Sequence, residues 1–383
     1  MLVSTLLALL PMAAAAPSVR RPAPVVVPRG GTHIEGKYIV RMKSNTVSTA
    51  VHSAISSIKA DADYTYQRGF AGFAASLDDD ELRALQNDPN VDYIEQDATV
   101  TIAAATTQED APWGLARLSS ATPGGTTYTY DESAGEGTCA YVLDTGIDVD
   151  HPEFEGRATW LENFTQDGDS DGQGHGTHCA GTIGSRTYGV AKKTSLFAVK
   201  VLDDAGSGTN SGIIAGIEWV VDDAPTRQGC EKGAVVNMSL GGGFSQAIND
   251  AAASIADAGI FLAVAAGNEA ANAASSSPAS EPKACTVGAS DANDRLADFS
   301  NFGKLVDVIA PGVGILSTVP GGKTEELDGT SMASPHVAGL AAYLLGKGES
   351  MDGLCGYIAK TGLQVITGAP NGTTTALINN GNQ

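Results

Sequence analysis

Three short segments carry side chains able to do covalent chemistry, and each sits where the backbone changes element. Asp144-Thr145-Gly146 follows the apolar run Ala140 to Leu143, so a carboxylate emerges at the carboxyl end of a predicted strand. His175-Gly176-Thr177-His178-Cys179-Ala180-Gly181 opens a predicted helix whose first turn is built of small residues, leaving room for a substrate. Gly329-Thr330-Ser331-Met332-Ala333-Ser334-Pro335-His336-Val337-Ala338-Gly339 runs into an Ala- and Leu-rich helix. Ser331 then stands where unpaired N–H groups and the positive end of the helix dipole favour an oxyanion. Counted from a start at Ser331, Pro335 is expected in the first turn, where proline is tolerated. Each segment alone has a bland reading: a capped turn, a packed histidine, an N-cap serine. Asp144-Thr145-Gly146 by itself would also suit half of a carboxylate dyad, but no second DTG or DSG occurs to share the proton. His175, His178 and Cys179 share a helical face and could reach one zinc ion, yet no second ligand cluster of similar quality accompanies them.

The elements that must position these residues alternate. Strand candidates at Ala140 to Leu143, Leu196 to Leu202, Val235 to Leu240, Ile260 to Ala265, Cys285 to Gly288 and Val306 to Ile309 are separated by helical patterns, at Ser211 to Val221, Gln246 to Ala258 and Ser331 to Leu345 among them. Apolar strands spaced this way predict an α/β fold, a mostly parallel sheet with helices on both faces and ligands at the strands' carboxyl ends. Ahead of it, residues 37 to 101 read as strand (Lys37 to Met42), helix (Val51 to Ala60), two strands around Gly69 and Gly72, a second helix and a last strand (Val91 to Thr101). This β-α-β-β-α-β order predicts a small α+β ferredoxin-like unit. Asp78 to Glu81 supply the cap and first-turn acids of its second helix, and Pro89 stops it. Residues 103 to 107, Ala-Ala-Ala-Thr-Thr, read as an exposed linker, and residues 17 to 36, with four prolines, as a flexible spacer.

Composition narrows the setting. Of 383 residues, 42% are apolar and 17% charged, enough for full hydrophobic cores and unlike a disordered chain. The net charge of -21 is uneven, with 9 basic and 11 acidic side chains in residues 1–105 and 14 against 33 beyond. So acidic a surface repels phosphate backbones and anionic lipid, so neither nucleic acid nor membrane is an expected partner. Met1 to Ala16 has an apolar run from Leu2 to Leu10 followed by Pro11 and small residues, the pattern of a secretory signal cleaved near Ala15 or Ala16. Secretion allows disulfides, and five cysteines imply at least one thiol left over; composition does not assign the pairs. Asn163-Phe-Thr165 and Asn371-Gly-Thr373 are N-glycan acceptor triplets; Asn237-Met-Ser239 also matches but ends an apolar strand.

Taken in order, Asp-Thr-Gly, His-Gly-Thr-His and Gly-Thr-Ser-Met-Ala-Ser-Pro-His resemble the subtilisin-like serine proteases, and most closely their proteinase K subfamily, over nearly all of residues 110 to 370. The Asp, His, Ser chain order is the known order of subtilisin. The resemblance implies a serine endopeptidase in which Ser331 is the nucleophile, His175 the base that activates it and Asp144 the group that orients the imidazole. Asn268, in Ala265-Ala266-Gly267-Asn268-Glu269, matches the family's oxyanion-hole asparagine, with Ser331 N–H as second donor. Gly206-Ser207-Gly208 and Ser239-Leu240-Gly241 resemble the segments that pair with an extended substrate, where larger side chains would block strand addition. Ser239 to Gly241 and Ala265 to Gly267 should wall the pocket for the residue before the cut. They contain no Asp or Glu, which favours broad apolar or aromatic preference over Lys or Arg.

The same resemblance implies disulfides Cys139 with Cys230 and Cys285 with Cys355, leaving Cys179 free. It implies one strong structural Ca²⁺ site at Asp307 and the carbonyls of Pro282 and Ala284, and no catalytic metal. Residues 37 to 101 resemble an inhibitor-type propeptide that assists folding and is removed by self-cleavage. Its last segment, ending near Ala105, is expected in the cleft as a product. The organisation so implied is a signal peptide (1–15), a propeptide (16–105) and a peptidase domain (106–383). It would be a secreted monomer acting on proteins and peptides.

Overall fold

A computed structural model describes residues 21–27, 33–44, 48–67, 70–98 and 105–382. The proposed signal peptide, and residues 103 and 104 of the expected linker, lie outside the described residues. By their internal packing the residues fall into two units that divide between Thr101 and Ile102.

The first unit contains β1 (Val25–Val26), β2 (His33–Met42), α1 (Ser48–Ile55), β3 (Tyr64–Tyr66), β4 (Gly72–Ser76), α2 (Asp79–Gln86) and β5 (Val91–Ala98). Its sheet has the order β1-β5-β2-β4-β3, with β1 parallel to β5 and the other pairs antiparallel. Asp78 caps α2 through the amides of Asp80 and Glu81, and Glu81 reaches back to Asp78 N–H, a complete capping box. Val40, Met42, Val51, Phe73, Leu85 and Ile94 form its core. The predicted spacer is a correction: Val25 and Val26 pair with Ile94 and Glu95, and β2 begins at His33. A two-residue edge strand among prolines has no hydrophobic period to read, and prolines are tolerated at a sheet edge.

The second unit begins with β6 (Ala105–Gln108), α3 (Trp113–Leu118), β7 (Tyr128–Asp131), β8 (Thr138–Asp144), β9 (Ala158–Asn163), α4 (His175–Gly184), β10 (Ser195–Lys200), α5 (Asn210–Asp223) and β11 (Gly233–Met238). It continues through β12 (Gly242–Gly243), α6 (Gln246–Asp257), β13 (Phe261–Ala265), β14 (Ser276–Ser277), β15 (Cys285–Ser290) and β16 (Val308–Pro311). The last elements are β17 (Ile315–Val319), β18 (Lys323–Leu327), α7 (Thr330–Gly346), α8 (Leu354–Thr361), β19 (Leu363–Gln364) and β20 (Ala376–Leu377). The main sheet runs β19-β20-β16-β15-β13-β11-β8-β10-β9 and is parallel throughout except at the β19/β20 edge.

The period-2 alternation of β8 divides two cores. Ala140 and Val142 face α4 and α7, meeting Ala180, Ile183, Val337 and Leu340. Cys139, Tyr141 and Leu143 face α5 and α6, meeting Ile217, Val220, Ala252 and Ile255. Two disulfides, Cys139–Cys230 and Cys285–Cys355, tie β8 and β15 to neighbouring segments, and Cys179 is buried and free. The six strands and three helices read from sequence are all present, with ends shifted by a few residues. β9, β19 and β20 were not legible: β9 is a half-buried edge strand with polar residues, and the other two hold two residues each. The expected linker is also corrected, because Ala105 to Gln108 pair with Asp131 to Tyr128 and form a strand. Thr106 and Thr107 are β-branched and suit that ladder.

Candidate active site

The carboxyl ends of β8, β11 and β13 and the N-termini of α4 and α7 open into a cleft of about 770 Å³. His175, Asn268 and Ser331 line it, as do all nine residues expected as its walls, in Gly206–Gly208, Ser239–Gly241 and Ala265–Gly267. Asp144 is buried beneath, its Oδ1 2.8 Å from His175 Nδ1 and accepting Thr145 N–H at 2.8 Å. That pairing fixes Nδ1 as the protonated nitrogen and leaves Nε2 as a base. Burial pulls the imidazole pKa down, but the Asp144 charge overrides it and holds His175 well above 6.5.

Helix α4 can approach this turn because of Gly176. A Cβ there would fall 2.1 Å from Gly146 O and 3.1 Å from Asp144 Cβ. The first amides of α4 are all engaged: His175 N–H on Gln173 Oε1 (2.7 Å), Gly176 N–H on Thr145 Oγ1 (2.9 Å) and Thr177 N–H on Asp171 Oδ2 (2.8 Å). Asp171 also accepts from Gly174 N–H and from the hydroxyls of Thr145 and Thr177. This buried carboxylate escaped the sequence reading because it stands four residues before the helix, outside the N-cap position where such signals are read.

Helix α7, like α4, begins after a glycine at the cap position. Gly329 gives no side-chain cap. Asn268 Oδ1 accepts both Thr330 N–H (2.8 Å) and the Thr330 hydroxyl (2.9 Å), which turns the Asn268 amide away from the helix. Thr330 was likewise missed as the residue that orients Asn268. Ser331 N–H is left without an acceptor among the described residues, as helix geometry allows at this position. The Ser331 hydroxyl donates to Ser239 O at 3.2 Å, and the Ser239 hydroxyl donates to Ser331 O at 2.7 Å. No hydrogen bond joins Ser331 Oγ to His175 among the described residues. The Cys179 thiol touches both sides, 3.9 Å from His175 Nδ1 and 3.4 Å from Ser331 O. Burial pushes that thiol's pKa up and keeps it protonated.

His178, grouped with His175 and Cys179 by helical spacing, has another task. Its Nε2 donates to Ile315 O (3.0 Å) and Glu325 O (3.1 Å), clasping the β17/β18 hairpin to α4. Burial holds its pKa down at about 4 and keeps the ring neutral. Asn237 is fully buried, with Nδ2 on Ser239 Oγ and Oδ1 accepting from Ser334, so its triplet offers no surface acceptor. Glu269 was not singled out from the sequence: it lies just beyond the wall segments yet lines the cleft, with Oε2 accepting from Asn301 Nδ2 at 2.7 Å. The absence of acids in the walls therefore does not extend to the whole lining.

Asp307 stands before β16, and Thr286 N–H donates to its Oδ2 at 2.9 Å, which brings the carboxylate to the segment following Pro282 and Ala284. Burial pushes its pKa up to about 6. Cys285 and Cys355, the nearby sulfurs, are committed to a disulfide, so the donors left are hard oxygens.

A model of the Subtilase family matches residues 135–354. The chain belongs to the subtilase family. A Peptidase inhibitor I9 model matches residues 37–103 ahead of it. This subtilase is 52% identical over 385 residues to the Cuticle-degrading protease of Metarhizium anisopliae, covering 99% of each chain. It is 64% identical over 292 residues to Proteinase T of Parengyodontium album, covering 76% of this chain and 99% of the relative. Among solved structures, a cold adapted subtilisin-like serine proteinase superposes with a TM-score of 0.67 at 39% identity, over 71% of this chain and 99% of its own. The subtilase is thus a serine endopeptidase of proteinase K-like kind, preceded by an inhibitor-type unit.

Proposed function

We propose that this subtilase cleaves peptide bonds with Asp144, His175 and Ser331 as its triad and Asn268 as oxyanion donor, and that it is secreted as a self-processing zymogen. The observation that carries this reading is one cleft holding an Asp144-oriented imidazole, the Ser331 side chain and two donors, Ser331 N–H and the Asn268 amide, that have no acceptor among the described residues. In this reading, rotation about the Ser331 Cα–Cβ bond would release the hydroxyl from Ser239 O toward His175 Nε2; catalytic hydrogen bonds in free enzymes commonly tighten only with substrate. An extended peptide adds as a strand along Gly206–Gly208 and Ser239–Gly241. His175 takes the Ser331 proton as the oxygen attacks the carbonyl, and Ser331 N–H and Asn268 Nδ2 hold the oxyanion. The protonated imidazole passes its proton to the leaving amine, and a water activated by the same imidazole hydrolyses the acyl-enzyme. A serine-directed phosphonate tests this: it labels Ser331 and stops hydrolysis, and an unlabelled, active enzyme would overturn the reading.

The walls favour apolar and aromatic residues before the cut, and the Glu269 carboxylate adds tolerance for Lys. Cleavage of a peptide library by the purified mature enzyme measures both. Asp307 with the carbonyls of Pro282 and Ala284 would hold one Ca²⁺, whose charge relieves the cost of ionising a buried carboxylate. Calcium titration of the protein decides the count. Among the described residues no helix is long and apolar enough to cross a membrane. The unit spanning residues 37 to 101 acts as intramolecular inhibitor, and self-cleavage frees the amino terminus near Thr106. Pure Ser331→Ala precursor should stay full length; a mature terminus in that sample would exclude self-processing.

A further inference from the structure

The mechanism above makes no use of Lys200, the last residue of β10, although its side chain is fully buried beside the triad. Lys200 lies in register with Asp144 on the neighbouring strand. Its ammonium donates to Thr145 O at 2.6 Å and to Asp204 Oδ1 at 2.9 Å. A buried ammonium is costly unless paired and hydrogen-bonded, so both contacts are strongly preferred over solvent. The two acceptors belong to different parts of the site. Thr145 follows the triad carboxylate, and its own N–H donates to Asp144 Oδ1. Asp204 opens the tight loop that carries the cleft-lining Gly206, Ser207 and Gly208, where Asp203 accepts from the amides of Ala205 and Ser207. Asp204 also packs on the loop that leads to His175. A Cβ on Gly172 would fall 2.4 Å from Asp204 Cγ, and Asp204 N–H donates to Asp167 Oδ2 at 2.7 Å.

We propose that Lys200 is a positioning residue: its buried ammonium, bridging Thr145 O and Asp204, sets the substrate-pairing edge Gly206–Gly208 at a fixed place relative to Asp144. The proposal rests on the triad reading of this cleft. Its reach falls on substrates long enough to pair with that edge, because a bare ester of the residue before the cut never touches it. Loss of the tie therefore separates long from short substrates, which a general loss of stability does not.

The test compares mature wild type, Asp204→Asn and Lys200→Met on a tetrapeptide amide and on a single-residue ester, with active sites counted by the phosphonate. Phosphonate labelling of wild type checks the triad reading separately. For Asp204→Asn, loss of the charge-assisted bond is expected to raise KM for the tetrapeptide about fivefold, with ester kcat/KM within about twofold of wild type. Lys200→Met is expected to show the same split together with a fall in kcat, as Thr145 loosens next to Asp144. Equal losses on both substrates, or none on either, would overturn the proposal. Should Lys200→Met fail to fold, the half-exposed Asp204 variant decides alone.

Discussion

The two helices that deliver the site residues end in opposite ways. At the start of α4 every early amide is taken by a named group, Gln173, Thr145 or Asp171, and a buried carboxylate closes the turn. At the start of α7 Asn268 takes only the Thr330 amide, and Ser331 N–H, in the cleft lining, is left without an acceptor among the described residues. Under the proposed triad, the difference follows from the work of each residue. An imidazole that must meet both a carboxylate and a hydroxyl needs a fixed backbone beneath it. An amide that must receive negative charge as it develops has to be kept free, since a donor already satisfied by protein offers nothing to the transition state. Closed ends hold; open ends bind.

That contrast can be broken from either side. The largest effect is expected for Ser331→Ala at the open end, a fall in kcat of about 10⁶, the size known for removing the nucleophile of a subtilisin. Active-site-normalised turnover checks it, and residual activity within tenfold of wild type would place the nucleophile elsewhere. Next, Asn268→Ala removes the second donor and should lower kcat by about 10² to 10³ with KM little changed, again the subtilisin precedent. A KM effect instead would make Asn268 a ground-state contact. At the closed end, Asp171→Asn should cost about 1–3 kcal/mol in denaturant unfolding and lower kcat, since a neutral amide cannot accept four donors. An unchanged kcat would show that the imidazole does not depend on that turn.

The smallest effect is one of position on the pH axis. His175 is held above 6.5, so below that raised value the imidazole keeps its proton and cannot take one from Ser331. The acid limb of kcat/KM should therefore rise through a value above 6.5, and Asp144→Asn should shift whatever limb remains downward. A limb below 6.5 in wild type would separate the Asp144 charge from the titrating base.

Asp144, His175 and Ser331 were legible because each sits at a junction the local pattern announces: an apolar strand that stops at an acid, and small residues that start a helix. The parallel sheet was legible for a similar reason, since strands buried on both faces read as continuous apolar runs. β9 failed that test because one side of it meets water, and Val25–Val26 failed it by length. Asp171 and Lys200 were missed for another reason. Lys200 donates to Thr145, 55 positions away, and Thr145 in turn donates to Asp171 across 26 positions, so no local window shows a charge being used.

The sequence by itself determined the element types, the chain order of the reactive residues and the family, because those depend on local periodicity and on short contiguous motifs. Only the tertiary structure decided which amides are closed and which is left open, how near the Cys179 thiol lies to the imidazole, and that Glu269 enters the cleft. Those facts depend on side chains from distant strands meeting at one end of a sheet, where packing and burial, not sequence neighbours, choose the partner.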